Sequence, residues 1–351
     1  MIREIYSGKV GKFHCQGIAV DEIGGYIYYS FTTSLVKCTL DGTVVGTVEN
    51  IAGHLGCIDW NERERRIYAS LEYKNDAIGK GILRGLGRSS DELDVGFYIA
   101  IFDGDLIDRI GMDAERDGVM RAAYLSTVVS DYSGSYVVEG RELLHIHGCS
   151  GIDGIAFGPD FGASDGREYL HVCYGIYSDT ERLDNDYQVI LQYEPDELLG
   201  TALPLLQKNM HKIGPHEPRN RYFLYTGNTS WGIQNLEYDA FSNSYFAAVY
   251  RGKKPQFPNY PMFVIDAVAR PVVAELSGLN MRGKTLTLKD TGLSSGGISG
   301  MEFSLGSTGI YSFGNGYFYF SVPKKDENGY QSSTAKLYRL DTEGKWSFYE
   351  V

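Results

Sequence analysis

The chain has little that suits it to nucleic acid or to a membrane surface. Its 351 residues hold 33 Lys and Arg against 45 Asp and Glu, a net charge of −12, whereas phosphate backbones and anionic bilayers select basic patches. No apolar run approaches the roughly 18 residues that a membrane helix needs. The opening Met1-Ile2-Arg3-Glu4-Ile5-Tyr6-Ser7-Gly8 carries no apolar segment of the kind a signal peptide uses. Cysteine is sparse and odd in number, and Cys15, Cys38, Cys57, Cys149 and Cys173 mostly fall inside apolar strand patterns. That reads as buried thiols in a reduced, cytoplasmic protein. Familiar catalytic signatures are missing too: no GxSxG elbow, no P-loop and no GxGxxG after a strand stands in a fitting context, and there is no HExxH or CxxC. The remaining expectation is a small-molecule or oligosaccharide ligand.

What the chain has in quantity is Tyr (27), Phe (16) and Gly (43), the residues of strands and tight turns. It also has one phrase, His14-Cys15-Gln16-Gly17-Ile18-Ala19-Val20-Asp21, that returns from 54, 151, 232 and 297. In each copy the second, fifth and seventh positions are large and apolar or Cys, the fourth is usually Gly, and a turn-former closes the phrase. Self-similarity at this spacing indicates a repeat architecture. After the first copy come 26–31, 34–40 and, beyond the Asp41-Gly42 turn, 43–48. Four short strands in about 40 residues make a β-propeller blade.

The same plan places blade 2 at 57–60, 66–71, 97–102 and 105–110, and blade 3 at 155–157, 169–174, 187–193 and 222–225. Blade 4 falls at 236–238, 245–250, 262–265 and somewhere in 272–288, and blade 5 at 301–303, 317–320, 336–340 and 346–351. The fold class is therefore all-β, a single propeller domain over 1–351 with five blades favoured. Insertions fall at about 74–96, a Gly-rich charged stretch that reads as a lid, and 112–148, where a degenerate sixth blade would have to hide. A strand within 3–10 is expected to close the ring against the last blade, since a propeller must not leave an open edge.

In such a blade the inner strand begins on the face where the second strand ends, so those segments gather around one mouth of the channel. The first positions there are His14, His54, Gly151, Gly232 and Gly297, and the third are Gln16, Gly56, Asp153, Gln234 and Ser299. His14 and His54 hold equivalent places in adjacent blades, which suits a general base with a partner or a metal pair. Glu72, Asp153 or Asp76 would add an acid or a third ligand for calcium or zinc, the metal set being His14, His54 and Asp153. Arg251 with Lys253 and Lys254 suits an anionic group, and Lys74, Tyr174 and Gln234 complete the expected substrate contacts. His145 and His147 alternate along an expected strand and form a weaker candidate.

The first phrase, followed by Gly25-Tyr26-Ile27-Tyr28, resembles the repeat of the NHL and SMP-30/gluconolactonase propellers, His-Pro-x-Gly-Ile-Ala-Val-Asp and then Gly-x-Leu-Tyr. The resemblance implies the architecture; some members are calcium- or zinc-dependent lactonases and others are scaffolds. The paired histidines are similar to those of sugar-cleaving propellers, lyases and rhamnosidases, where a channel His transfers the proton. The expectation is an enzyme, hydrolase or lyase, acting on a sugar or sugar acid with His14, His54, Glu72 and Asp153 as its catalytic groups. The competing expectation is a non-catalytic propeller that binds a protein partner or glycan.

Overall fold

Alternating apolar residues in the first repeat become four antiparallel strands, Cys15–Asp21, Tyr26–Phe31, Ser34–Thr39 and Val44–Glu49. The computed structural model describes residues 1–89, 94–138, 140–227 and 230–351; the part of the 74–96 insertion at 90–93 and position 139 of the 112–148 insertion lie outside them. Blade 2 is built from His54–Asn61, Arg66–Tyr73, Gly96–Asp103 and Met120–Tyr124. Blade 3 is built from Cys149–Pro159, Glu168–Ile176, Tyr187–Tyr193 and Asn220–Tyr225. Ser230–Asp239, Ser244–Tyr250 and Met262–Asp266 form blade 4, and Ile310–Ser312, Tyr317–Lys325 and Gln331–Asp341 form blade 5.

The five inner strands pack each against the next, and the fifth returns to the first. Burial follows that ring. Each of five apolar cores joins two neighbouring blades, from Ala19 and Tyr28 with Leu55 and Trp60 round to Ile18 and Tyr29 with Tyr319 and Leu337. Five inter-blade cores fix five blades. The outer edge of blade 5 is shared: Glu4–Tyr6 pairs with Thr334–Lys336, and Ser347–Glu350 pairs with Tyr338–Asp341. The expected closing strand is present, with Ile5 buried in the seam.

Three expected strands depart from this plan in whole or in part. Residues 105–110 are not the outer strand of blade 2. They pack over blade 1, where the buried Lys37 ammonium donates to the carbonyls of Gly104 and Ile107 at 2.7 and 3.2 Å. Met120–Tyr124 takes that edge because Met120, Ala122, Ala123 and Tyr124 are all buried against it. The stretch 112–148 is thus not an insertion throughout. Met112–Asp113 extends blade 1, Ser126–Ser133 is helical, and Ser135–Val138 with Arg141–Leu144 forms a hairpin. The stretch 272–288 divides: Val272–Glu275 and Arg282–Thr285 extend blade 3 through a parallel pairing with Tyr222 and Phe223, and only its end reaches blade 4, where Leu288 bridges Ile265.

The fifth inner strand is Ile310–Ser312, not 301–303. Glycines explain the difference. An added Cβ at Gly17 would lie 2.8 Å from the amide nitrogen of Ile58, one at Gly154 3.2 Å from that of Leu236, and one at Gly309 3.0 Å from that of Ile18. Each of these glycines faces the fifth-position residue of a neighbouring blade, so Gly309-Ile310 is the true fourth–fifth pair of blade 5. Met301 instead bridges to Met262 on the edge of blade 4. Where the fourth position is not glycine, Cys57 and Asn235 project into the channel and meet, Sγ to Oδ1 at 3.2 Å.

Candidate active site

Antiparallel pairing brings the start of each inner strand beside the end of the second: His54 opposite Glu72, Gly151 opposite Gly175, Ser230 opposite Tyr250. Register shifts interrupt the inner strands at this level, between Leu55 and Ile58, Ile152 and Ile155, and Ser230 and Ile233. Such bulges re-aim side chains, and here they accompany the first and third positions at the mouth. The result is a cavity of about 500 Å³ whose polar floor includes His14, Gln16, His54, Glu72, Lys74, Asp153 and Gln234. His14 and His54 share one face, as their equivalent positions require.

His54 Nδ1 is sealed from solvent, 3.4 Å from Glu72 Oε2 and 3.8 Å from Asp153 Oδ1, with no well-directed hydrogen bond to either. The ring lines the cavity, so Nε2 is the nitrogen available to a ligand. Behind it Glu72 is saturated. Its Oε1 accepts the amide of Ile152 at 2.6 Å, and its Oε2 takes the Lys74 ammonium at 2.7 Å, which also donates to Ser150 O at 2.9 Å.

Burial pushes the Glu72 carboxyl up, but Lys74 and His54 outweigh it and hold it below its ordinary value. Asp153 has no such cation in contact. Burial and the Glu72 charge raise it to about 7. Burial lowers His14, and the neighbouring His54 adds to that. His14 shares a hydrogen bond with the Gln16 amide at 3.1 Å, and Gln16 also donates to Thr32 at 3.0 Å.

The insertion after blade 2's second strand supplies a roof. Asp76 caps the helix Ala77–Gly85, its Oδ1 accepting the amides of Ile78 and Gly79. Ile78 and Ile82, one turn apart, lie over the cavity. Gly79 is required, since a Cβ there would stand 1.8 Å from Lys74 O. Phe13, Trp231 and Tyr250 complete the walls. Trp231 has φ 67°, a left-handed conformation that bulky residues avoid, and is 39% exposed. Sequence reasoning missed Trp231; the available signal was a lone Trp immediately before the fourth phrase.

Other expected contacts do not reach the cavity. Tyr174 is fully buried in the core of blades 2 and 3, donating to Asp131 Oδ2 at 2.7 Å. Arg251 is paired with Glu302, and neither it nor Lys253 lines the cavity. Lys254 is buried on Asp186 and Asn185 at 2.5 and 2.8 Å. The expected anion clamp is therefore absent from this face, and Lys74 is the only Lys or Arg among the described lining residues. His145 and His147 sit in a 3₁₀ turn with φ 64° and 57°, not on a strand, and burial pushes His147 down to about 3. All five cysteines are free and buried.

The metal expectation changes as well. His14 lies outside the group that converges, which is His54, Glu72 and Asp153 with ligand atoms within 4.8 Å of one another. Both Glu72 oxygens are already engaged, and an ammonium already supplies positive charge. That leaves His54 Nδ1 and one oxygen of Asp153 from this group, fewer than the three protein ligands a catalytic zinc takes and far short of the roughly six to eight oxygens calcium takes. The residues present do not fit a resident metal.

No family model matches the chain and no curated protein matches it, so the likeness to NHL and SMP-30/gluconolactonase repeats stands on the phrase alone. No helix of the described residues is long and apolar enough to cross a membrane. Among solved structures, the chain is similar to an exo-1,5-α-L-arabinanase from a bovine ruminal metagenomic library, at 11% identity over 96% of this chain and 97% of that one, TM-score 0.42. It is similar to the GH43_1 enzyme from Xanthomonas citri complexed with xylose, at 12% identity, 97% and 93% coverage, TM-score 0.42. It is also similar to the PQQ domain of a pyranose dehydrogenase from Coprinopsis cinerea, at 12% identity, 91% and 81% coverage, TM-score 0.38. Likeness at this level carries no argument about the site.

Proposed function

We propose that the chain is an enzyme acting on a sugar or sugar derivative at the channel mouth, by proton transfer through His54 and Asp153. The observation that carries this is the placement of His54: its Nδ1 is backed by two carboxylates at 3.4 and 3.8 Å while the rest of the ring lines a cavity of about 500 Å³. The ionised Glu72 behind Nδ1 favours the tautomer whose Nε2 is free to act as a base. Two carboxyl groups held on opposite sides of their ordinary values, Glu72 below and Asp153 at about 7, mark which stays ionised and which delivers a proton. Asp153 is the acid. Glu72, buried and engaged on both oxygens, sets a negative charge behind the base and is not the nucleophile of a two-carboxylate glycosidase.

An apolar roof of Ile78 and Ile82 beside Trp231, above a floor of amides, imidazoles and Asp153, suits a ring with one apolar and one hydroxylated face. A lyase acting on a uronate needs a cation to neutralise the carboxylate, and Lys74 is committed to Glu72. Hydrolysis of a neutral lactone, ester or glycoside fits better, with His54 Nε2 taking a proton from water and Asp153 giving one to the leaving oxygen.

The test is turnover of a panel of sugar lactones, sugar esters, neutral oligosaccharides and uronate-containing oligosaccharides. His54→Ala and Asp153→Asn are each expected to lower kcat by about 10²–10⁴-fold. Wild-type kcat should fall as pH rises through about 7, where Asp153 loses its proton. A wild type silent on the whole panel, or a His54→Ala variant as active as wild type, overturns the reading in favour of a binding propeller.

A further inference from the structure

We infer that Gln234 is a positioning residue that confines the proton of Asp153 to Oδ1, the oxygen facing His54; this rests on the proton-transfer reading above. Gln234 Nε2 stands 3.0 Å from the carbonyl oxygen of Trp231 and 3.2 Å from Asp153 Oδ2. A backbone carbonyl can only accept, so the side-chain amide must present its NH₂ to Trp231, which settles which end of the amide is which. The second hydrogen of that NH₂ then points at Asp153 Oδ2. An N–H donated to Oδ2 favours that oxygen as the carbonyl end of the neutral acid, which places the proton on Oδ1.

Packing encloses Oδ2. Gly175 lies against Oδ2, where an added Cβ would stand 2.9 Å from it and 2.6 Å from Ser150 Oγ. Oδ1 lies 3.8 Å from His54 Nδ1. The other titratable groups that act on Asp153 are Glu72 and Lys74, which are paired with each other, and the more distant Tyr250 and Cys173. When the Oδ1 proton passes to the leaving oxygen, the new carboxylate keeps the Gln234 N–H on Oδ2. That hydrogen bond is stronger to the ionised acid than to the neutral one. The same amide holds the backbone of Trp231 in its left-handed conformation, φ 67°, so one side chain ties the acid to the aromatic wall.

Gln234→Met tests this, because it keeps the length and removes the donor. The primary readout is the titration of the Asp153 carboxyl, followed by carbon-13 NMR in aspartate-labelled protein with Asp153→Asn to assign the signal. Loss of the donor is expected to move its midpoint to higher pH and to shift the alkaline limb of the pH–kcat profile with it, with kcat at least tenfold lower and KM changed less. Should Gln234→Met fail to fold, Gln234→Asn, which withdraws the amide by one methylene, is expected to give the same displacement. An Asp153 midpoint that is unmoved in a folded variant overturns the inference even if the enzyme is active. A wild type inactive on every substrate leaves the NMR result to judge Gln234 while sinking the functional reading separately.

Discussion

At the scale of single residues, the molecule handles buried charge in two ways. Around the mouth it pairs charge, and the Lys74–Glu72 contact at 2.7 Å keeps Glu72 ionised although the residue is only 2% exposed. Lower in the channel it buries carboxyls without a cation. Asp59 and Glu237, both at the sixth position of their phrases, accept backbone amides from Trp60, Phe157 and Ser312 but have no cation in contact. Burial first, and then their mutual repulsion for Glu237, raises both, Asp59 to about 7. The sign follows from linkage. A carboxyl whose folded value lies above its unfolded one contributes stability at low pH that is lost as pH rises through the folded value. Glu237→Gln removes that loss while keeping an acceptor for the Ser312 amide. The variant is therefore expected to gain thermal stability over wild type at pH 8 and to show little gain at pH 5. Melting curves at the two pH values decide it, and an equal effect at both would show that the Glu237 charge does not act on folding.

At the scale of elements, the piece that distinguishes this propeller is the capped helix Ala77–Gly85. The 74–96 stretch reads as a flexible lid because glycine and charge dominate it. Tertiary contacts order its helix, Ala77–Gly85, instead. Gly79 fits only without a side chain over Lys74 O, Gly85 packs on the ring of Phe13, and Ile82 and Leu83 are buried. Its cap is held from a second direction, since Tyr177 Oη donates to Asp76 Oδ2 at 3.2 Å. Asp76→Ala removes both roles. Losing an N-cap costs about 1 kcal/mol, which should raise amide exchange over 77–85 by about fivefold. Exchange in the blade strands should change far less, because the helix enters the inter-blade cores only through Leu83, in the core of blades 1 and 2. Hydrogen exchange read by mass spectrometry separates the two regions.

At the scale of the whole molecule, stability is a matter of closing the ring. The seam between blades 5 and 1 is stitched by Glu4–Tyr6 on Gln331–Asp341, by the Val10–Gln331 bridge, and by Tyr29 Oη donating to Ile5 O at 2.7 Å. Ile5, 1% exposed, is the apolar residue this strand inserts into the core shared with Tyr29 and Leu337. Truncating a buried Ile to Ala costs about 2–5 kcal/mol. Ile5→Ala is expected to lower the denaturant midpoint accordingly, with exchange protection lost first in the strands of blades 5 and 1. Uniform loss around all five blades would show that the seam is no weaker than the other junctions.

The sequence by itself determined the kind of ring and one side of its mouth. Alternation, Gly-containing turns and the repeated phrase follow from local geometry, and local geometry is what a repeat writes out in full. Equivalent positions put His14, His54, Asp153 and Gln234 at one level because every blade starts its inner strand on the same face. Tertiary structure alone decided the outer edges, since 105–110 and all but the end of 272–288 have strand-like patterns whose partners lie in other blades. It also decided the fifth inner strand. Gly297-Ile298-Ser299-Gly300-Met301 fits the phrase, yet only Gly309 stands where a Cβ would strike the neighbouring backbone. Charge partners were equally invisible along the chain. Arg251, Lys254 and Tyr174 carry the right chemistry for a site, and each is spent on Glu302, Asp186 or Asp131 because the fold brings that acid within reach. Which acid meets which base depends on distances through space, and those exist only once the ring has closed.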